Sequence, residues 1–133
     1  MPVEIPADFH PLLESRAIAY VSTLGAKGEP QTSPIWFMWD GETVSFSLVD
    51  GRQKLKNLRR DPRISVAIAD LEVPTWYIEL RGRIDDLVED PGRELERAIA
   101  IKYTGEDFDV DPAGTMRYDA RVIVEKITFQ RGI

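Results

Sequence analysis

Ala17-Ile18-Ala19-Tyr20-Val21-Ser22-Thr23-Leu24, then Gly25-Ala26-Lys27-Gly28-Glu29-Pro30, then Gln31-Thr32-Ser33-Pro34-Ile35-Trp36-Phe37-Met38-Trp39, reads as strand, turn and strand. Apolar residues alternate with small or polar ones in the first run, and β-formers are frequent in both. The glycines between them supply the positive φ that tight turns need. Asp40-Gly41 is a second turn signal. It leads into Thr43-Val44-Ser45-Phe46-Ser47-Leu48, with Val44, Phe46 and Leu48 on one face and Thr43, Ser45 and Ser47 on the other. The three runs predict an antiparallel meander. Pro34 cannot donate to a ladder, which puts the second strand at an edge or a bulge. Such a strand is either an ordinary bulged strand or one whose free N–H and C=O groups read a flat heteroaromatic ligand.

Beyond this region, Arg63 to Asp70 and Trp76 to Asp86 read as strands, with Gly82 as a bulge or bend in the second. Arg121 to Gln130 alternates Val122, Val124, Ile127 and Phe129 and forms the last strand. Pro11 to Arg16, Arg52 to Arg60 and Pro91 to Tyr103 read as short helices. In the third, Leu95, Ile99 and Lys102 share a face with Ala98. Thr104 to Tyr118 is irregular and acidic, with Asp107, Asp109 and Asp111. The chain is therefore mainly β with short helices, and its roughly six short antiparallel strands favour a barrel, because closure removes exposed edges.

The 133 residues fit a single domain, 1–133, with no repeat or linker. Cys is absent and His10 is the one histidine. This excludes zinc fingers, iron–sulfur clusters, redox Cys pairs and Cys nucleophiles, and no metal site is expected. Neither a triad built on His10 nor a carboxylate pair among Asp85, Asp86, Glu89 and Asp90 is supported, so no catalytic side chain is assigned. No GxGxxG or GxxxxGK[ST] pattern runs through the glycines, which removes a Rossmann site and a P-loop. The net charge of −6 argues against nucleic acid as a partner. Apolar runs are as short as Val66-Ala67-Ile68-Ala69, so no membrane span is expected. Met1 to His10 carries Glu4 and Asp8 without a basic residue, unlike a secretory signal, and with the absence of Cys this points to the cytoplasm.

Against that acidic background, residues 52–63 hold six of the 17 basic groups, Arg52, Lys54, Lys56, Arg59, Arg60 and Arg63, with Asp61 the one acid among them. The run begins after a strand and Gly51, at a helix N-terminus, where free N–H groups and the helix dipole favour an anion. It is either a solvated helix face or a phosphate site using backbone donors, the Lys54 ammonium and the Arg52 fork. Trp36, Trp39, Trp76 and Tyr77 are large aromatics suited to a core or an interface.

Ala19-Tyr20-Val21-Ser22-Thr23-Leu24, Gly28-Glu29-Pro30-Gln31, Ser33-Pro34-Ile35-Trp36 and Gly51-Arg52-Gln53-Lys54-Leu55-Lys56-Asn57-Leu58-Arg59-Arg60-Asp61-Pro62-Arg63 together resemble the pyridoxamine 5′-phosphate oxidase-like superfamily. More narrowly, they resemble its branch that uses the deazaflavin coenzyme F420. The likeness runs from Ala17 to Tyr103 and takes in the terminal strand; the segment from Lys54 to Arg63 is its most specific part. It implies a six-stranded antiparallel split β-barrel of the FMN-binding type and a homodimer with cofactor sites at the subunit interface. Trp36, Trp76 and Tyr77 are the aromatics expected near that interface. The resemblance puts Lys54 on the cofactor phosphate with Arg52 and Asn57 nearby. It puts Gln31, Ser33 and Ile35 along the ring system and Ser47 at the end of the next strand. Trp76 and Tyr77 would come from the second subunit or the pocket rim. The implied activity is hydride transfer between F420 and a small organic acceptor. The alternatives are FMN as cofactor, in an oxidoreductase or flavin reductase, or a non-catalytic coenzyme-binding protein. The longer N-terminal region and C-terminal substrate-phosphate motif of pyridoxamine phosphate oxidases are not seen, which argues against vitamin B6 oxidation. A polyglutamate tail on F420 would use the excess positive charge of the basic run.

Overall fold

The computed structural model describes residues 3–108 and 111–132; Asp109 lies outside the described residues. A 3₁₀ turn at Ala7–Phe9 leads into helix α1 (His10–Glu14), with Pro11 in its first turn. Then come β1 (Ala19–Leu24), β2 (Pro30–Ile35), β3 (Met38–Trp39), β4 (Val44–Val49), α2 (Gln53–Arg60), β5 (Arg63–Ala69), β6 (Trp76–Glu89), α3 (Glu94–Thr104) and β7 (Arg117–Arg131). The strands form one antiparallel sheet in the order β2-β1-β5-β6-β7-β4-β3.

Seven strands form where six were expected, because Gln31 to Trp39 is not one strand. It breaks at Trp36-Phe37, where the Phe37 ring turns fully into the core. The two halves lie at opposite edges of the sheet. β2 pairs with β1, from Ala19↔Ile35 to Leu24↔Pro30, which is the predicted hairpin with Pro34 on an edge strand. β4 pairs with β3 and β7, not β2, so the meander does not form.

This split curls the sheet. Laid flat, seven strands would span roughly 29 Å at the usual inter-strand spacing. Ile35 and Met38, on the two edges, are three peptide steps apart and so within about 11 Å of each other. Both conditions hold when the sheet closes most of the way into a barrel.

The barrel core joins Val21, Phe46, Val66, Ile68, Ile78 and Leu80 with Leu12 and Leu13 of α1 and Leu55 of α2, all essentially fully buried. Each buried aliphatic side chain of this size contributes about 1.5–3 kcal/mol. β5 keeps the strict alternation read from its sequence. β4 does not: Ser45 and Ser47 are buried along with Val44, Phe46 and Leu48, because α2 and α3 cover the second face. The bulge in β6 falls between Arg81 and Gly82, where a Cβ would stand 1.8 Å from the Ile123 carbonyl oxygen. α3 starts three residues later than predicted. The Asp90 carboxylate accepts from the N–H groups of Glu94 and Leu95 (3.1 and 3.0 Å), and Arg93 takes a left-handed φ of 54°. Its buried residues are Ile99 and Ala100, and Ala98 is exposed, contrary to the predicted face.

Candidate functional site

α2 follows β4 directly, and no side chain caps its first turn. The first N–H groups of a helix have no intrahelical acceptor, so this end favours an anion. The turn borders a cavity of about 350 Å³ between the barrel and α3. Ile35, Ser47, Leu48, Arg52, Lys54 and Leu55 line it from the barrel side, and Glu96, Ile99, Ala100, Phe108 and Arg117 from the other; Trp36 stands at its rim.

Lys54 is half-buried, and its ammonium donates to Ser33 Oγ at 2.8 Å. Burial lowers its pKa, and the like charge of Arg52 adds to the effect. Among the described residues, neither cation makes an ion pair. Two neighbouring cations at a helix N-terminus favour an anion in electrostatic terms. Deeper in the cavity, the Ser47 hydroxyl is buried with no hydrogen-bond partner. A buried hydroxyl without a partner is costly, so Ser47 Oγ is a ready contact for a polar group entering the cavity.

Of the residues singled out from sequence, Ile35, Ser47, Arg52 and Lys54 meet at this cavity, with Ser33 holding Lys54. Asn57 and Gln31 sit behind it. The Asn57 amide donates to Thr23 Oγ1 (3.0 Å) and Gln31 Oε1 (3.2 Å) and accepts from Gln53 and Arg60. Its two donated bonds thus lock α2 to the β1–β2 hairpin, while those it accepts come from within α2. Trp76 and Tyr77 do not line the cavity of their own chain. They begin β6, where Trp76 lies 6.4 Å from the Phe9 ring and faces Arg131 across the ladder. His10 packs 5.2 Å from the Trp39 ring and does not line the cavity.

The basic run is not one surface. Arg59 pairs with Asp50 at 3.2 Å and lies over the Tyr118 ring. Arg63 forks onto Asp61, which it helps hold down to a pKa of about 2. Arg60 turns to the Leu24 carbonyl and Asn57. Arg52, Lys54 and Lys56 are left, half the charge that the sequence offered for a tail.

Sequence reasoning missed the far wall. Arg117 lies largely buried between Glu96 (3.0 Å), Asp111 (2.7 Å) and the Ser47 carbonyl (3.3 Å). It ties α3 and the segment after it to β4. No local pattern announces a contact between positions 47 and 117. A second cavity, about 480 Å³, opens beside Thr23, Arg63 and Arg81. It is larger, but Arg63 and Arg81 both have carboxylate partners within the chain.

With the barrel and this cavity in view, residues 5–132 match the pyridoxamine 5′-phosphate oxidase family. The chain belongs to that family. It is an oxidoreductase-type family, and its split-barrel fold binds flavins. A solved F420 reductase is similar, with 28% identity and a TM-score of 0.80 over 93% of this chain and 98% of that one. A conserved hypothetical protein of Mycobacterium tuberculosis aligns at 21% identity and TM-score 0.76, over 98% of this chain and 87% of that one. A heme-binding protein of Mycobacterium smegmatis aligns at 19% and 0.66, over 98% of this chain and 56% of that one. The last two share the fold. No curated protein matches the chain. Among the described residues, no helix is long and apolar enough to cross a membrane, and no group of three or more His, Asp or Glu side chains is placed to hold a metal.

Proposed function

We propose that this chain is an F420-dependent oxidoreductase that transfers a hydride between the coenzyme and a small organic acceptor. The observation that carries the reading is the pair Arg52 and Lys54, without an ion pair among the described residues, at the uncapped start of α2 beside a partly open, mainly apolar cavity. The similarity to an F420 reductase over nearly the whole of both chains supports it.

Arg52, Lys54 and the first-turn N–H groups of α2 would hold the coenzyme phosphate. Ser47 Oγ would bond a polar edge of the ring system, and Ile35 and Leu48 would give it an apolar bed. Ser33 fixes the Lys54 ammonium in place. The reduced coenzyme, held by these residues, would supply a hydride, two electrons with one hydrogen, to the acceptor, and one proton would complete the reduced product. The chain's own work is then to bind, orient and exclude water, which needs no side-chain nucleophile. FMN is the second reading, since its single phosphate fits the same cations and the family fold accommodates flavins.

Proteins of this family commonly form dimers, and we propose a homodimer here, with Trp76 and Tyr77 of one chain reaching the site of the other. Titration of the purified protein with F420 and with FMN, read by absorbance and fluorescence, tests the cofactor. Turnover of reduced F420 with an added acceptor separates an enzyme from a carrier. Binding of FMN alone would move the assignment to the flavin.

A further inference from the structure

Ser47 and Asp119 are directly opposed across the β4–β7 ladder. Opposed residues of an antiparallel pair share a face, with Cβ atoms about 4.5–5.5 Å apart. Ser47 lines the cavity, and its Oγ is shut off from solvent with no hydrogen-bond partner among the described residues. Asp119 Oδ1 is in the same condition. Two neighbouring buried oxygens, both unsatisfied, are costly, and a proton shared between them would satisfy both. Rotation of either side chain, or one bridging water, closes the gap. On its other side Asp119 faces Val88 of β6 and borders a surface pocket with Glu89, Asp90, Glu94 and Leu95. Glu89 and Glu94 are exposed there. One carboxyl thus stands between solvent and the hydroxyl that meets the cavity.

The surroundings favour a proton on that carboxyl. Burial raises the Asp119 pKa, Asp90 and Asp40 add to the effect, and Arg121, two residues along β7, offsets part of it. Glu89 from β6 and Glu94 from α3 bring further negative charge to the pocket. β4 sets only the uncharged Ser47 opposite. A position with no task beyond filling space would be better served by a neutral side chain.

We infer that Asp119 and Ser47 form a proton relay between solvent and the polar edge of the ring held in the cavity. This rests on the coenzyme reading above. A hydroxyl donates once and accepts twice, so Ser47 can bond Asp119 and the ring together. Loss of a hydride from the reduced coenzyme to the acceptor leaves one proton to be shed from the ring. Ser47 Oγ takes that proton and hands its own to the Asp119 carboxylate, one O–H bond forming as another breaks. Asp119 then releases the proton through the pocket, and solvent supplies the one that the acceptor gains. Run in reverse, the same path delivers a proton to the ring.

The first test follows the Asp119 carboxyl carbon by NMR against pH in the cofactor-free chain. Its midpoint should lie above the ordinary 3.8. Ser47→Ala should move that midpoint by about half a unit or more, the size of one hydrogen bond. The second test uses reduced F420 with menadione as an artificial acceptor. Asp119→Asn should lower kcat about a hundredfold and leave F420 affinity unchanged. Wild-type kcat should fall as acid protonates Asp119, and the variant should lose that limb. Its melting temperature near neutral pH should hold or rise, because a charge that the fold disfavours is gone; a merely structural role would lower it. A midpoint at or below 3.8, a midpoint indifferent to Ser47→Ala, or an acid limb that survives in Asp119→Asn overturns the inference. Failure to bind F420 counts against the coenzyme reading alone. The NMR test needs neither coenzyme nor acceptor, so it still decides the relay.

Discussion

Lys54 reaches from the first turn of α2 to β2 and donates to Ser33 Oγ at 2.8 Å. The bond spans 21 positions of sequence and joins the basic helix to the strand beside the cavity. It also places a cation where burial and Arg52 both disfavour its charge. An anion between Lys54 and Arg52 would relieve that cost.

Lys54→Ala should therefore weaken F420 binding by about ten- to a hundredfold, the range of a charge-assisted bond. Arg52→Gln should weaken it as well, whereas Arg63→Gln, whose cation is already on Asp61, should change it less than about twofold. Dissociation constants from fluorescence titration check this. Equal effects of Lys54→Ala and Arg63→Gln would remove the phosphate assignment.

Asn57 should behave differently from Lys54. Asn57→Ala leaves the buried Thr23 hydroxyl without its partner and should lower unfolding stability by about 1–3 kcal/mol. Coenzyme affinity of the folded variant should fall less than in Lys54→Ala. Urea denaturation beside the same titration separates the two roles.

Lys102 gives a pH signature. Its ammonium donates to the Leu13 and Phe37 carbonyls, and burial pushes its pKa down to about 8 from an ordinary 10.5. Between those values the unfolded chain holds a proton that the folded chain has released. Unfolded chains that bind more protons make stability rise with pH, so this group adds stability as pH climbs from about 8 to 10.5. Lys102→Met should flatten that rise in thermal melts. An identical pH profile in both proteins would contradict the assignment.

Gly82→Ala forces a Cβ onto the Ile123 carbonyl oxygen, backbone of the neighbouring strand β7 that cannot swing aside. It should cost about 2 kcal/mol or more. Gly41→Ala, in an open turn at φ 99°, should cost about 1 kcal/mol. Chemical denaturation of the two variants checks the order.

Sedimentation at micromolar concentration should show a homodimer. Tyr20, 49% exposed on the outward face of β1 between Pro34 and Ala67, is a side chain that a second copy would cover. A monomer alone would end the shared-site proposal.

The β1–β2 hairpin, the edge position of Pro34, the Gly82 bulge and the helix expected over Arg52 to Arg60 were legible because each rests on local chemistry: turn glycines, a missing donor, a helix start. The strand break at Trp36-Phe37 was not, since an unbroken apolar run carries no mark of which edge each half will join. The role of Arg59 and Arg63 was misread for a related reason. Their carboxylates, Asp50 and Asp61, are close in sequence, but pairing depends on where the helix turns them. Arg117 lay hidden because two of its partners, Ser47 and Glu96, come from distant segments.

The two sheet edges that Trp36 and Phe37 bridge are joined by covalent chain and not by a ladder of hydrogen bonds. The barrel therefore has a seam, and the seam is the part of the wall that can widen without breaking a strand pair. Ile35 and Trp36 stand on that seam and at the cavity together. A molecule bound there would act as a clasp across it, and a filled site should slow amide exchange in β2 and β3 before it does so anywhere else.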